Sequence, residues 1–182
     1  MSVIYRVWAV RRLRDLKGWQ ELRATSGQHA FRADHSTEDV FWVLALQVEA
    51  ALLDSRHLYG LKFDFAKSFD RLPHNILLKL VQLMGISSRI LGPLNTIYLK
   101  LVRRFKFAGS VGKKFQATNG ILRGCPISVI LLNALLSVWA RAVEAEVTGV
   151  SADTFADDVG ISSYEPASTQ LAADPKIPLF FL

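Results

Sequence analysis

The chain has 182 residues, enough for one domain with a substantial core. Hydrophobic residues make up 51% and mean hydropathy is +0.23, so either most of the chain is buried or it keeps open surfaces for a partner or further domain. A net charge of +6 and a pI near 9.7 favour a polyanionic partner, nucleic acid before acidic membrane, and a single cysteine excludes an intramolecular disulfide.

Residues 3–24 set Ile4, Val7 and Trp8 against Arg11, Arg12, Arg14 and Lys17, predicting a helix with an apolar and a basic face. This Arg-rich start lacks the apolar run of a secretory signal. After Gly27 a second helix opens at Ser36 or Thr37, with Glu38 and Asp39 suiting the positive end of its dipole. Phe41, Leu44, Ala45, Val48, Ala51 and Leu52 give its expected buried face. Leu58–Phe65 reads as a strand, 66–70 as a turn, and Pro73 as the first turn of a helix that Gly85 stops. Asp70 is expected to cap that helix rather than to bind metal. A further helix runs from Ser87 or Ser88 to about Leu101, with Pro93 near its start or at a kink. Arg103–Gly109 and Lys113–Thr118 predict a hairpin around Ser110–Gly112, one face basic (Arg103, Arg104, Lys106) and the aromatic face packed inward. Pro126 to about Val147 predicts the longest helix. Its apolar run to Ala140, broken by Asn133 and Ser137, falls short of the roughly 20 residues a bilayer needs, so it is expected to be buried, with no membrane partner. Val150–Phe155 and Val159–Ser163 read as strands around Ala156-Asp157-Asp158, and 164–182 as loop or tail. Cys125 is expected to be a small buried residue, and His29, His35, His57 and His74 carry no metal-ligand spacing with it.

The chemistry concentrates in three segments: Lys62-Phe63-Asp64-Phe65-Ala66-Lys67-Ser68-Phe69-Asp70, Gly120-Ile121-Leu122-Arg123-Gly124-Cys125-Pro126-Ile127-Ser128, and Phe155-Ala156-Asp157-Asp158. Adjacent carboxylates at a strand–turn–strand repel one another, and divalent cations relieve that cost. Phosphoryl transfer to a 3′-hydroxyl uses two such ions about 3.5–4 Å apart, and Mg2+ prefers the hard oxygens that carboxylates and phosphates supply. In order and spacing, these segments resemble the motifs of reverse transcriptases. The upstream Y-R-V-W-A-V-R-R-L-R-D-L-K-G-W-Q and F-R-A-D-H-S-T-E-D are similar to the fingers of non-long-terminal-repeat (LINE-like) retrotransposon enzymes.

The resemblance implies an α+β polymerase palm: a small antiparallel sheet packed by helices, with the two carboxylate strands as neighbours. Residues 1–57 would be partial fingers helices, 58–163 the palm and 164–182 an irregular or divergent tail, with the thumb absent. It implies Asp64, Asp157 and Asp158 as catalytic metal ligands for two Mg2+ ions, with Mn2+ as substitute. Phe69 would lie beneath the sugar and select deoxynucleotides, and Arg123 and Gly124 would meet the incoming nucleotide. Arg11, Arg12, Arg103, Arg104 and Lys106 are the nucleic-acid-binding candidates. Arg123 stands where the family usually has glutamine, and Phe155 where it has tyrosine. The implied partners are an RNA template, a DNA primer and deoxynucleoside triphosphates, and the implied location is intracellular, the nucleus included. The expected activity is RNA-directed DNA synthesis by a fragment inactive on its own. The alternative is a non-catalytic retroelement relic with residual nucleic-acid binding.

Overall fold

In a computed structural model describing residues 3–100 and 102–172, helix α1 (Val3–Glu21) leads through a loop to α2 (Thr37–Leu53) and strand β1 (Tyr59–Asp64). A single helical turn, α3 (Ser68–Arg71), then precedes α4 (His74–Leu83) and α5 (Ser88–Lys100). Four two-residue strands follow: β2 (Val102–Arg103), β3 (Lys106–Phe107), β4 (Ser110–Val111) and β5 (Phe115–Gln116). Helix α6 (Pro126–Glu146), strands β6 (Val150–Phe155) and β7 (Asp158–Ser163), and helix α7 (Pro166–Ala172) complete the described chain.

Local chemistry sets these limits. Ser36 caps α2 in a reciprocal box with Asp39, satisfying amides that the first turn leaves without partners. Pro126 occupies the first turn of α6, where its missing N–H costs nothing. Pro93 lies inside α5, deeper than a first-turn position. The last carbonyl of the α4 region, that of Met84, accepts from Trp19 Nε1 (3.1 Å) and Arg23 Nε (2.5 Å), which docks the end of α1 there.

The sheet is antiparallel, in the order β1-β7-β6. Tyr59 pairs with Ser163 at one end and Asp64 with Asp158 at the other, while Phe155 pairs with Asp158 across the β6–β7 turn. Phe63, Ala152, Val159 and Ile161 join the core that α6 fills. Thirteen α6 residues are buried. By length and composition alone α6 would match a bilayer span, yet 72% of its apolar window is buried inside the protein, which makes it the core helix. Its polar interruptions find backbone acceptors for their donors: Asn133 Nδ2 donates to Ala30 O (2.7 Å) and Ser137 Oγ to Ala134 O (2.9 Å), while Asn133 Oδ1 is buried without a partner among the described residues.

Several expectations are corrected. On α2 only Ala51 is buried; Phe41 is 66% and Leu52 74% exposed, with Leu44 and Val48 also open. This helix is apolar around most of its circumference, and one flank against the sheet cannot cover it all. On α1, Ile4 and Val7 are exposed, whereas Ala9, Leu16 and Gln20 face the core. The 102–116 hairpin turns at Ala108–Gly109, both left-handed (φ 44° and 83°), two residues earlier than the sequence suggested. Such a pair suits the right-handed twist of the arms. One extra residue in the second arm, between β4 and β5, makes a bulge. Its Phe105 and Phe107 do not pack inward but stand 73% and 84% exposed. Residues 166–172 form a helix rather than loop, with Ser168 and Thr169 buried. The remainder of the expected tail, 173–182, lies outside the described residues.

Candidate functional site: a carboxylate hairpin beside a basic cavity

Strand β1 ends on Asp64, directly across from Asp158 at the start of β7. Directly paired residues share a face of the sheet, with Cβ atoms about 4.5–5.5 Å apart. The two carboxylates are therefore close by construction. Asp157 occupies the turn joining β6 to β7, where Ala156 adopts a left-handed φ of 56°. A two-residue hairpin turn needs that sign at its first central position, and a non-glycine residue holds it only under strain. Lys67, three residues beyond Asp64, is left-handed as well (φ 58°). Strained backbone thus flanks both carboxylate segments.

The three aspartates are not drawn into one tight knot: their oxygens do not all lie within 4.8 Å of one another. Asp158 instead leans on Lys62 Nζ (3.3 Å), two residues before Asp64 on β1. Both partners are mostly exposed, so the pair is weak and a cation can displace the lysine at little cost. Like charges directly opposite on a sheet are destabilising. A hard divalent cation fits this donor set, because Asp64 on β1, Asp158 on β7 and Asp157 in the β6–β7 turn supply carboxylate oxygens, and the one lysine paired with them is held only by an exposed contact.

Asp157 also lines a cavity of about 930 Å3 on the α1 side of the turn. Lys17, Arg32, Lys67 and Arg123 place four cations around it, against this one carboxylate. Phe31 and Phe69 supply aromatic wall, while Leu13, Val129 and Ile130 supply apolar wall. Phe69 and Gly124 line this cavity together with Asp157. Gly124 needs its left-handed φ of 75°, and space is open where a side chain would project. Arg123 is paired with Asp70, which explains why Asp70 does not cap α4 as expected; there the His74 amide donates to Thr118 O (3.0 Å). Cys125 is buried, with the Tyr5 hydroxyl 2.9 Å from its Sγ, as a structural cysteine would be.

The cavity wall is braced from both sides. Arg32 is held by Glu21 (2.8 Å), Thr25 O (3.1 Å) and Gln28 O (2.6 Å). Its loop zips onto β6: Thr154 N donates to Gly27 O (2.7 Å) and His29 N to Thr154 O (3.0 Å). Gln28 Nε2 reaches Asn133 O on α6 (2.8 Å). On the other side, His74 Nε2 donates to Gly120 O (2.7 Å), and Tyr98 OH lies 3.2 Å from Ser128 Oγ. A second cavity, about 530 Å3, separates α2 from the outer sheet face and is lined by Lys62, Asp153 and Asp158.

The remaining candidates lie elsewhere. Arg11 and Arg12 both pair with Asp15 on the exposed side of α1 (3.0 and 2.6 Å). Arg103, Arg104 and Lys106 lie on the outlying hairpin, where Phe105 stacks on Phe115 with ring centroids 4.9 Å apart. Sequence reasoning did not assign Lys17, Arg32 or Lys67 to the cavity. The available signal was position: Arg32 and Lys67 sit inside the F-R-A-D and D-F-A-K segments.

The fold is that of a nucleic-acid polymerase palm, and the comparisons agree. Residues 5–174 match the family described as reverse transcriptase (RNA-dependent DNA polymerase), and the chain belongs to that family. Among solved structures, telomerase from Candida tropicalis in complex with a TWJ fragment of telomeric RNA superposes with a TM-score of 0.72 at 16% identity, over 97% of this chain and 32% of that one. Apo telomerase from Candida tropicalis truncated from its C-terminal domain gives 0.66 at 18%, over 93% and 36%. Telomerase from Candida albicans with a TWJ fragment of telomeric RNA gives 0.61 at 16%, over 94% and 31%. The chain spans about a third of the length of these structures, and at such identities the likeness is one of fold: an α+β reverse-transcriptase palm.

Proposed function

We propose that this chain carries the catalytic palm of an RNA-directed DNA polymerase of the non-long-terminal-repeat retrotransposon kind, with Asp64, Asp157 and Asp158 holding two divalent cations, Mg2+ by preference. Bound there, the ions would activate a primer 3′-hydroxyl and neutralise charge on the departing pyrophosphate. The chain's own residues prepare the remainder. Lys17, Lys67 and the braced Arg32 would receive the triphosphate of a deoxynucleotide. Phe69, on the same cavity wall, would lie under the sugar and exclude a 2′-hydroxyl. Gly124 leaves room for the nascent base pair, and the exposed cations and rings of the 102–116 hairpin would track the RNA template or DNA primer. The apolar surface open on α2 supports work within a larger polymerase, and extension by this chain alone is expected to be weak or nil.

The supporting observation is the pairing of Asp64 with Asp158 next to an Asp157-lined basic cavity. The test has two parts. First, Mg2+ should raise the melting temperature of the wild-type chain and leave that of Asp64→Asn unmoved; steeply salt-dependent nucleic-acid binding with no metal effect would favour the relic reading. Second, in a polymerase carrying this palm, Asp157→Asn should lower primer extension on RNA by at least about 10²-fold, on the scale of losing one main electrostatic stabiliser. Undiminished extension would overturn the assignment.

A further inference from the structure

Away from the aspartates, three donor side chains from the 28–39 segment converge. Among the described residues, His29, His35 and Asp39 form the group whose donor atoms all lie within 4.8 Å of one another. His29 Nδ1 is 3.1 Å from His35 Nδ1. We propose that these residues form a second metal site, separate from the carboxylate hairpin, that takes a late first-row divalent cation of the Zn2+ class.

The geometry suits such an ion. Two nitrogens about 2.0–2.1 Å from one zinc at tetrahedral angles stand about 3.3 Å apart. The observed spacing is close to that, so little movement is needed to admit the ion. Two imidazoles and one carboxylate make a borderline-soft donor set, which selects against Mg2+ and Ca2+. The fourth position would fall to water.

Each donor is held from behind. His29 is only 6% exposed, and its backbone is tied to Thr154 of β6. Its Nδ1 faces His35 (3.1 Å), while Nε2 is buried without a hydrogen-bond partner among the described residues. Asp39 sits in the first turn of α2, where Oδ2 accepts the Ser36 amide (2.5 Å); a carboxylate has acceptor sites to spare beyond that one. His35 directly precedes the Ser36 cap.

A bound ion would staple the start of α2 to the loop that carries Phe31 and Arg32 into the basic cavity. The same 3.1 Å spacing also suits a plain imidazole–imidazole hydrogen bond, so metal titration decides. The chain, in excess Mg2+ to occupy oxygen-donor sites, is titrated with Co2+ and then Zn2+. One Co2+ per chain with visible absorption bands, displaced by Zn2+, is expected. Hydrogen exchange of amides 28–39 should slow on loading. His35→Gln, on the half-buried lip, and Asp39→Asn should each weaken binding by roughly 10–100-fold or more, since even outer-shell changes cost that much. His57→Gln should leave binding unchanged. Absent Co2+ bands, or undiminished binding in His35→Gln, would overturn the site. Because the readout is metal binding, this test stands or falls separately from the polymerase assignment.

Discussion

The two hairpins of this molecule are built on opposite terms. The β6–β7 hairpin pairs over six residues, is flanked by β1 on one side and by the Gly27–His29 backbone on the other, and buries Ala152, Thr154, Val159 and Ile161. The β2–β5 hairpin pairs two residues at a time, breaks at a bulge and holds its rings in solvent. Carboxylates proposed to share metal ions would have to be held within fractions of an ångström, and Asp157 and Asp158 sit on the braced hairpin with Asp64 on the flanking β1. The base stacking proposed for the other hairpin would tolerate sequence and small displacements, which a loose arm can provide.

The largest effect should come from Gly27→Ala. A Cβ there would lie 2.3 Å from Ala152 O and 2.7 Å from Asp153 Oδ1, and the first of these is backbone that cannot swing aside. The zipper to Thr154 should part, with a loss of about 3 kcal/mol in urea unfolding, at the upper end for overpacking. A change under 0.5 kcal/mol would mean that the braced hairpin does not depend on this loop. Phe105→Ala should act oppositely, sparing stability yet weakening single-stranded nucleic-acid binding by about 1–3 kcal/mol, the range for a lost base stack. A filter-binding titration at fixed salt measures this. Unchanged affinity would remove the hairpin's assigned role.

A smaller effect concerns Asp153 on β6. Burial first, and then Glu144, raise its pKa above the ordinary carboxyl value. Folding therefore favours the protonated acid. That contribution is present below the unfolded-state pKa and is lost as pH rises through the folded one. Asp153→Asn should accordingly be more stable than wild type at pH 7, with the advantage shrinking toward pH 4; a constant difference would contradict this origin. Smallest should be Lys62→Ala, within about 0.5 kcal/mol, because its pair with Asp158 is exposed.

The sequence was legible where local chemistry decides. The Ser36 cap, Pro126 at the start of α6, and the strands around Ala156–Asp158 all follow from residue type and period. The β1–β7 pairing was legible from the resemblance, which implies that the carboxylate strands adjoin. Legibility failed where tertiary partners decide. Periodicity gave α2 an inward stripe, but a helix apolar on most sides offers no unique choice of face. The Ala108–Gly109 turn hid because alanine rarely takes a left-handed φ, while Ser110–Gly112 looked like better turn chemistry. Asp70 read as a cap because Arg123, its partner, lies 53 residues away in sequence. The histidines looked scattered because they were measured against Cys125 rather than against Asp39, which itself looked like part of a helix start.

The backbone zipper at Thr154 has one more consequence. It occupies both hydrogen-bonding groups of a residue on the outer rim of β6, so that rim of the sheet is partly closed. Among the described residues no strand pairs along the far side of β1. Any lateral growth of this sheet, whether by a segment of a larger polymerase or by misassembly between copies, is therefore directed to Tyr59–Asp64.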